Sequence, residues 1–288
     1  MISEDKVIEI FYMADEYSKK FTKVRQKYSL EGERNDGRRR RNKPNRMSDY
    51  LSHFYLEYVC RHMRHLFPVL SSYSRFVELE KEVALCLALF IKDVLLGKCT
   101  GISFTDSTAL RVCHIKRMHS HRTFSGLTQK GKTTMGWFYG FNLHLIINDR
   151  GEILNFMITP GNTDDRDPLR NERYVQDIKG KLCGDRGYIG KALFEMLFIN
   201  GIQLVTRVRN NMKNMLMCAE DKILLRKRAV IETVNDELKN IAQIEHSRHR
   251  SFNNFIVNIL SAIAAYCFFP KKPSVDVTFV DDGQLVIF

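Results

Sequence analysis

Trp137-Phe138-Tyr139-Gly140-Phe141-Asn142-Leu143-His144-Leu145-Ile146-Ile147 carries a large apolar side chain at every second position, from Trp137 through Tyr139, Phe141, Leu143 and Leu145 to Ile147. Side chains of an extended chain alternate between faces, so this period of two predicts a β-strand. Asn148-Asp149-Arg150-Gly151 then supplies turn-forming residues, and 152–159 the antiparallel partner of a hairpin. Working outward, Gly101-Ile102-Ser103-Phe104-Thr105-Asp106 reads as a short strand ending on a carboxylate. On the other side, Lys181-Leu182-Cys183-Gly184 reads as a strand ending at Asp185, followed by a helix from about Ile189 to Asn200 and a strand from Ile202 to Val208. A helix over 229–243 places Ile231, Val234, Leu238 and Ile241 on one stripe, and an apolar helix over 252–269 closes the series. Strand, hairpin, strand, helix, strand is the order of a mixed α/β domain.

The first hundred residues differ in character. Val7, Ile10, Phe11, Ala14, Tyr17 and Phe21 recur at helical steps, as do apolar residues over 50–66 and 76–96. Between them, residues 32–46 include Arg38, Arg39, Arg40 and Arg41, whose mutual repulsion, with Gly37 and Pro44, opposes packing. The expected organisation is an α-helical region over 1–97 with a basic linker over 32–46, an α/β domain over 98–273 and a tail over 274–288.

Composition limits the function. A chain of 288 residues with 44% hydrophobic content is globular, and a formal charge of +12, from 45 Lys and Arg against 33 Asp and Glu, favours a polyanionic partner. The polar start, Met1-Ile2-Ser3-Glu4-Asp5-Lys6, predicts no secretory leader. The apolar runs 83–91 and 255–269 are shorter than the roughly 20 residues that span a bilayer, so buried helices and no membrane are expected. Seven scattered cysteines without a C-x-x-C pair suit a reduced cytoplasmic setting.

Asp106 and Asp185 stand at the ends of two expected strands, and Glu232 lies on a helix with Asn235, Asp236 and Lys239 facing broadly the same way. Carboxylates fixed on rigid elements are what Mg²⁺ requires, because it takes oxygen ligands in near-octahedral geometry. Adjacent strands crossed at their ends by the helix would bring all three together.

Asp106-Ser107-Thr108, Asp185-Arg186-Gly187-Tyr188 and Arg228-x3-Glu232-x6-Lys239 resemble the three signatures of bacterial insertion-sequence transposases of the Asp-Asp-Glu class. The likeness extends over most of residues 98–273. It implies a ribonuclease H-like catalytic domain, with a mixed five-stranded sheet flanked by helices, behind an all-α DNA-binding region. It also implies an Mg²⁺-dependent DNA transposase using two ions, with Mn²⁺ able to substitute, held by Asp106, Asp185 and Glu232. Such an enzyme cleaves element ends and transfers the 3′-hydroxyl strand to target DNA. Its partners would be the terminal inverted repeats, target DNA and further copies of itself, as a homodimer or higher oligomer in the cytoplasm, at the nucleoid. Arg228 and Lys239 would hold backbone phosphate, while Lys130, Lys132, Arg207, Arg209, Lys213 and the run Arg38 to Arg41 would track DNA further out. Leu225 occupies a place where the related pattern often has Tyr, and the stretch between Ser48 and His53 looks shortened against the family.

Several features have plainer readings. Asp164-Asp165-Arg166-Asp167 is a dense acidic cluster, but it follows Pro160-Gly161-Asn162 in a loop and is expected to orient the chain. Asn142 and His144 face away from the Trp137 stripe, and His144 is expected to be a satisfied structural histidine. Cys113 and Cys183 read as small buried hydrophobes. The pairs His62/His65, His119/His121 and His246/His249 lack partners at zinc-finger spacing. Two other functions fit the same residues: a decayed transposase that only binds DNA, and a related metal-dependent nuclease that hydrolyses without joining strands.

Overall fold

The computed structural model describes residues 4–28, 54–207, 217–245, 251–275, 278–279 and 285–286. It divides into two compact units, Met1–Asp93 with Arg248–Leu260, and Val94–Ser247 with Ser261–Phe288.

The regular elements described in the first unit are all helical. α1 (Glu4–Tyr28) opens with Glu4 and Asp5, acidic groups suited to the positive end of the helix dipole. A π-helical turn, Phe54–Val59, leads into the short α2 (Cys60–His62), where one helix over 50–66 was expected. The second expected helix is broken at Val83 into α3 (Tyr73–Glu82) and α4 (Ala84–Phe90), followed by a π-helical turn over Ile91–Leu95. Ser72 caps α3, its Oγ accepting from the Arg75 amide at 3.4 Å. Tyr55 is buried, stacks on Phe76 at 4.3 Å and donates to the Ser71 carbonyl at 2.6 Å. The basic linker and the stretch between Ser48 and His53 lie outside the described residues.

The second unit is built on a six-stranded sheet of β1 (Ile102–Cys113), β2 (Gln129–Thr133), β3 (Gly136–Asn148), β4 (Ile153–Pro160), β5 (Gly180–Gly184) and β6 (Ile202–Thr206). The central order is β3-β1-β5-β6, with β2 and β4 sharing the outer edge of β3: β2 pairs with its Gly136–Gly140 portion and β4 with Phe141–Ile147. β1 runs antiparallel to β3 and parallel to β5, and β5 parallel to β6. Without β2, this is the five-stranded mixed sheet of the ribonuclease H-like fold. Its extra strand, Gln129-Lys130-Gly131-Lys132-Thr133, has no apolar alternation to betray it.

Two boundaries differ instructively from expectation. β1 does not end at Asp106 but continues to Cys113, because Leu110 and Val112 are buried and the ladder with β3 extends to Tyr139. β3 is buried on both faces from Phe138 onward, so both faces of the sheet are covered along it.

The hairpin turn forms where expected. Asn148 Oδ1 accepts from the amides of Arg150 at 3.0 Å and Glu152 at 2.9 Å, and Gly151 adopts φ +71°, which only glycine tolerates readily.

Ile146, Leu182 and Leu204 project from one face of the sheet into a core closed by Tyr174, Val175, Tyr188, Leu193 and Leu197. This core includes the helices α5 (Glu172–Val175) and α6 (Lys191–Ile199). Later come α7 (Ala219–Lys227), which the sequence did not announce, α8 (Ala229–Asn240) and α9 (Phe252–Cys267). α8 packs over β1, burying Val230, Ile231, Val234 and Leu238. No described helix is long and apolar enough to cross a membrane.

Candidate active site

Parallel pairing of β1 with β5 ends at Phe104 and Cys183. Asp106 and Asp185 each lie two residues beyond that pair, so both carboxylates leave the sheet at the same level of adjacent strands. Asp185 terminates its strand and caps the following turn, Oδ1 accepting from the Gly187 amide at 2.7 Å. Asp106 lies inside β1 and is held from the next layer: Asn235 on α8 donates through Nδ2 to Asp106 Oδ2 at 3.1 Å.

Glu232 lies one turn before Asn235 on α8. Arg228, at the junction of α7 and α8, ties the two ends of the triad together. Its Nη2 is 2.6 Å from Glu232 Oε1, and its Nη1 is 3.7 Å from Asp106 Oδ1. Burial pushes the Asp106 carboxyl up to about 6; Arg228 and the Ser107 amide oppose that rise, while Asp185 and Glu232 add to it by like-charge repulsion.

Asp185, Glu232 and Arg228 border a cleft of about 400 Å³ that is also lined by Arg186, Arg207 and Arg226, with Leu225 among its walls; Asp106 is not part of the lining. Leu225 is buried at the place where the related pattern carries Tyr, so the cleft has an apolar wall there. Four arginines and two carboxylates around one opening form a surface suited to a phosphodiester, since guanidinium matches phosphate in fork geometry. Arg186 and Arg226 were not singled out in the sequence. Their signal was adjacency, one residue after Asp185 and two before Arg228.

The other expected contacts are dispersed. Lys239 lies two turns beyond Glu232 and is engaged by Glu245 at 3.8 Å, away from the cleft lining. Lys130 and Lys132 are exposed on β2. Arg38 to Arg41, Arg209 and Lys213 lie outside the described residues, as do His246 and His249.

The acidic loop divides between two roles. Asp164 pairs with Arg166 at 2.6 Å, which holds its carboxyl down at about 2, and Asp167 pairs with Arg170 at 2.6 Å. Asp165 instead accepts from Ser107 Oγ at 2.6 Å, beside Asp106, and its carboxyl is raised by burial and by the charge of Asp185. His144, cross-strand from Ser107, is buried with Nε2 2.8 Å from Thr159 Oγ1. Cys183 is buried and its thiol pushed up to about 12, which leaves it unreactive.

Asp106, Asp185 and Glu232 are oxygen donors of the kind a hard divalent cation takes, Asp106 being partly buried beside like charges. Among the described residues no three such side chains are gathered into a ready cage, and Arg228 supplies the compensating charge between Asp106 and Glu232.

The family model for the transposase DDE domain matches residues 96–252, more than half of the chain. A search of curated proteins finds no match. Among solved structures, the chain is similar to the piggyBac transposase in its synaptic complex with hairpin DNA, at 10% identity and a TM-score of 0.45, over 64% of this chain and 50% of that one. It thus spans about half the length of that relative. A second similar structure is the Mos1 strand transfer complex, at 11% identity and a TM-score of 0.26, over 86% of this chain and 85% of that one. Both superpositions are loose, so strand order and register carry the fold assignment and the family match carries the lineage: this chain belongs to the transposase DDE-domain family.

Proposed function

We propose that this protein is a DNA transposase whose catalytic domain, residues 98–273, cleaves the ends of its element and joins the freed 3′-hydroxyl strand to target DNA. The observation that carries this reading is the common level of Asp106 and Asp185 on adjacent parallel strands, with Glu232 tied to Asp106 through Arg228 at an arginine-lined cleft.

Asp106, Asp185 and Glu232 would hold two Mg²⁺ ions, or Mn²⁺ in their place. When bound, such ions activate the attacking oxygen and neutralise charge on the departing one. The chain's own groups do the rest. Arg186, Arg207 and Arg226 hold the phosphate backbone in the cleft, a positioning role that limits the approach of the scissile bond. Arg228 keeps Glu232 and Asp106 from repelling one another, and its guanidinium would share a non-bridging phosphate oxygen. Asn235 fixes the Asp106 carboxylate against rotation. The helical region over 1–97 with its basic linker would bind the element's terminal repeats, and two ends held together call for at least two copies of the chain in the cytoplasm, at the nucleoid.

The test uses DNA flanking the protein's own coding sequence, incubated with Mg²⁺ and a target plasmid. Asp106→Asn should abolish strand cleavage while gel-shift binding persists. Equal cleavage by the variant would remove Asp106 from the chemistry. Cleavage without joined products would favour the nuclease, and binding without cleavage by the unaltered protein would favour the decayed, binding-only form.

A further inference from the structure

No acidic residue occurs between Asp106 and Asp149, whereas Arg111, Lys116, Arg117, Arg122, Lys130 and Lys132 all fall in that interval. The β2–β3 hairpin projects from it as the outer edge of the sheet. Lys132 pairs across the ladder with Trp137 and Lys130 with Tyr139, so all four side chains stand on one face. The inner part of that face is closed: Tyr139 is buried and meets His121 edge-on at 6.3 Å. The outer part is open, with Trp137 54% exposed and Met135 at the tip 87% exposed.

Two further details show that this exposure is organised. The ammonium groups of Lys130 and Lys132 lie 4.1 and 5.5 Å from the Trp137 ring centroid, holding the indole by cation–π attraction. The tip is braced by Thr133 Oγ1, which accepts from the Met135 amide and donates to the Gly136 carbonyl, both at 3.2 Å, while Gly136 adopts φ +115°. An apolar ring is thus held beneath two cations on a braced hairpin whose own stretch of sequence, 107–148, carries no acid. A protein partner would need an acidic, apolar patch to match it. Nucleic acid supplies both parts at once, phosphates for the lysines and a base face for the indole.

We propose that the β2–β3 hairpin is a nucleic-acid-binding arm on which Trp137 stacks against an unpaired base of DNA, with Lys130 and Lys132 holding the adjoining phosphates. This rests on the DNA-processing reading above and adds to it a preference for DNA with unpaired bases at the arm.

Trp137 is the chain's one tryptophan, so its fluorescence reports the arm directly. The full chain is titrated with a blunt duplex and with the same duplex bearing a short single-stranded overhang, binding being followed in parallel by gel shift. The overhang should quench the indole strongly and the blunt duplex weakly. Trp137→Ala should weaken binding to the overhang about tenfold and to the blunt duplex little, with Trp137→Phe retaining most of the affinity. Lys130→Ala should weaken both and lower the salt slope by about one. Gel-shifted DNA with unquenched Trp137, or equal losses on both duplexes for Trp137→Ala, overturns the stacking arm and leaves the transposase reading intact. No binding to either duplex overturns both. A blue-shifted emission that grows with protein concentration without DNA overturns it in favour of self-association through this face.

Discussion

Asn235 donates to Asp106 at 3.1 Å across 129 residues of sequence, a hydrogen bond that joins α8 to β1. Asn235 is 6% exposed and cannot exchange Asp106 for water. Asn235→Leu leaves a partly buried carboxylate short of a donor, at a cost of about 1 kcal/mol, the low end for such groups. Thermal melting should show the loss, and single-turnover cleavage should fall by more than DNA affinity does. An unchanged cleavage rate would mean that Asn235 only packs.

Arg228 is the cation that Asp106 and Glu232 share. Its two nitrogens reach both at once, which a lysine ammonium cannot reproduce. Arg228→Ala should slow cleavage by about 100-fold, in the range seen when a preorganised electrostatic donor is removed. Arg228→Lys should recover only part of that. Full activity in the lysine variant would show that charge alone suffices.

His144 gives a pH signature of stability. Burial holds its imidazole neutral, moving it from 6.5 to about 4, against a small opposing pull from Asp167. The unfolded chain gains a proton near pH 6.5 that the folded chain takes only near pH 4, so stability falls as pH drops through that window. The loss should reach about 3 kcal/mol, at 1.36 kcal/mol per pH unit. Urea midpoints between pH 7.5 and 4.5 should show a shallower slope for His144→Gln; parallel slopes would assign the acid sensitivity to other groups.

Gly140 admits the close approach of β1 to β3. A methyl group there would fall 2.0 Å from the Leu110 carbonyl oxygen, a backbone atom with little room to move. Gly140→Ala should cost at least about 2–3 kcal/mol by overpacking. At Gly190 the nearest atom to such a methyl is 3.7 Å away, and Gly190→Ala should leave the melting temperature within a few degrees of the parent's. Similar melting temperatures for the two variants would contradict the close packing at Leu110.

The regular elements were legible where a period reports burial. β3 and α8 could be read from Trp137 to Ile147 and from Ile231 to Leu238 because their apolar spacing matches the geometry of strand and helix. β2 could not, since an edge strand of Gln, Lys, Gly and Thr buries too little to impose a pattern. The continuation of β1 past Asp106 was hidden for a related reason: Ser107, Thr108 and Ala109 are held by the ladder to β3, opposite His144, Leu143 and Asn142, 33 to 37 residues away.

The sequence by itself determined which residues carry charge and in what order they arrive, because the Asp106, Asp185 and Glu232 motifs, the basic excess and the hydrophobic periods are properties of composition and spacing. Only the tertiary structure decided which of them meet. Arg228 reaches two carboxylates, Asp165 leaves its own loop for Ser107, Lys239 turns to Glu245, and Trp137 lies under two lysines. Hydrogen bonds, ion pairs and ring contacts act over a few ångströms, and strand register, not distance along the chain, brings such groups within range.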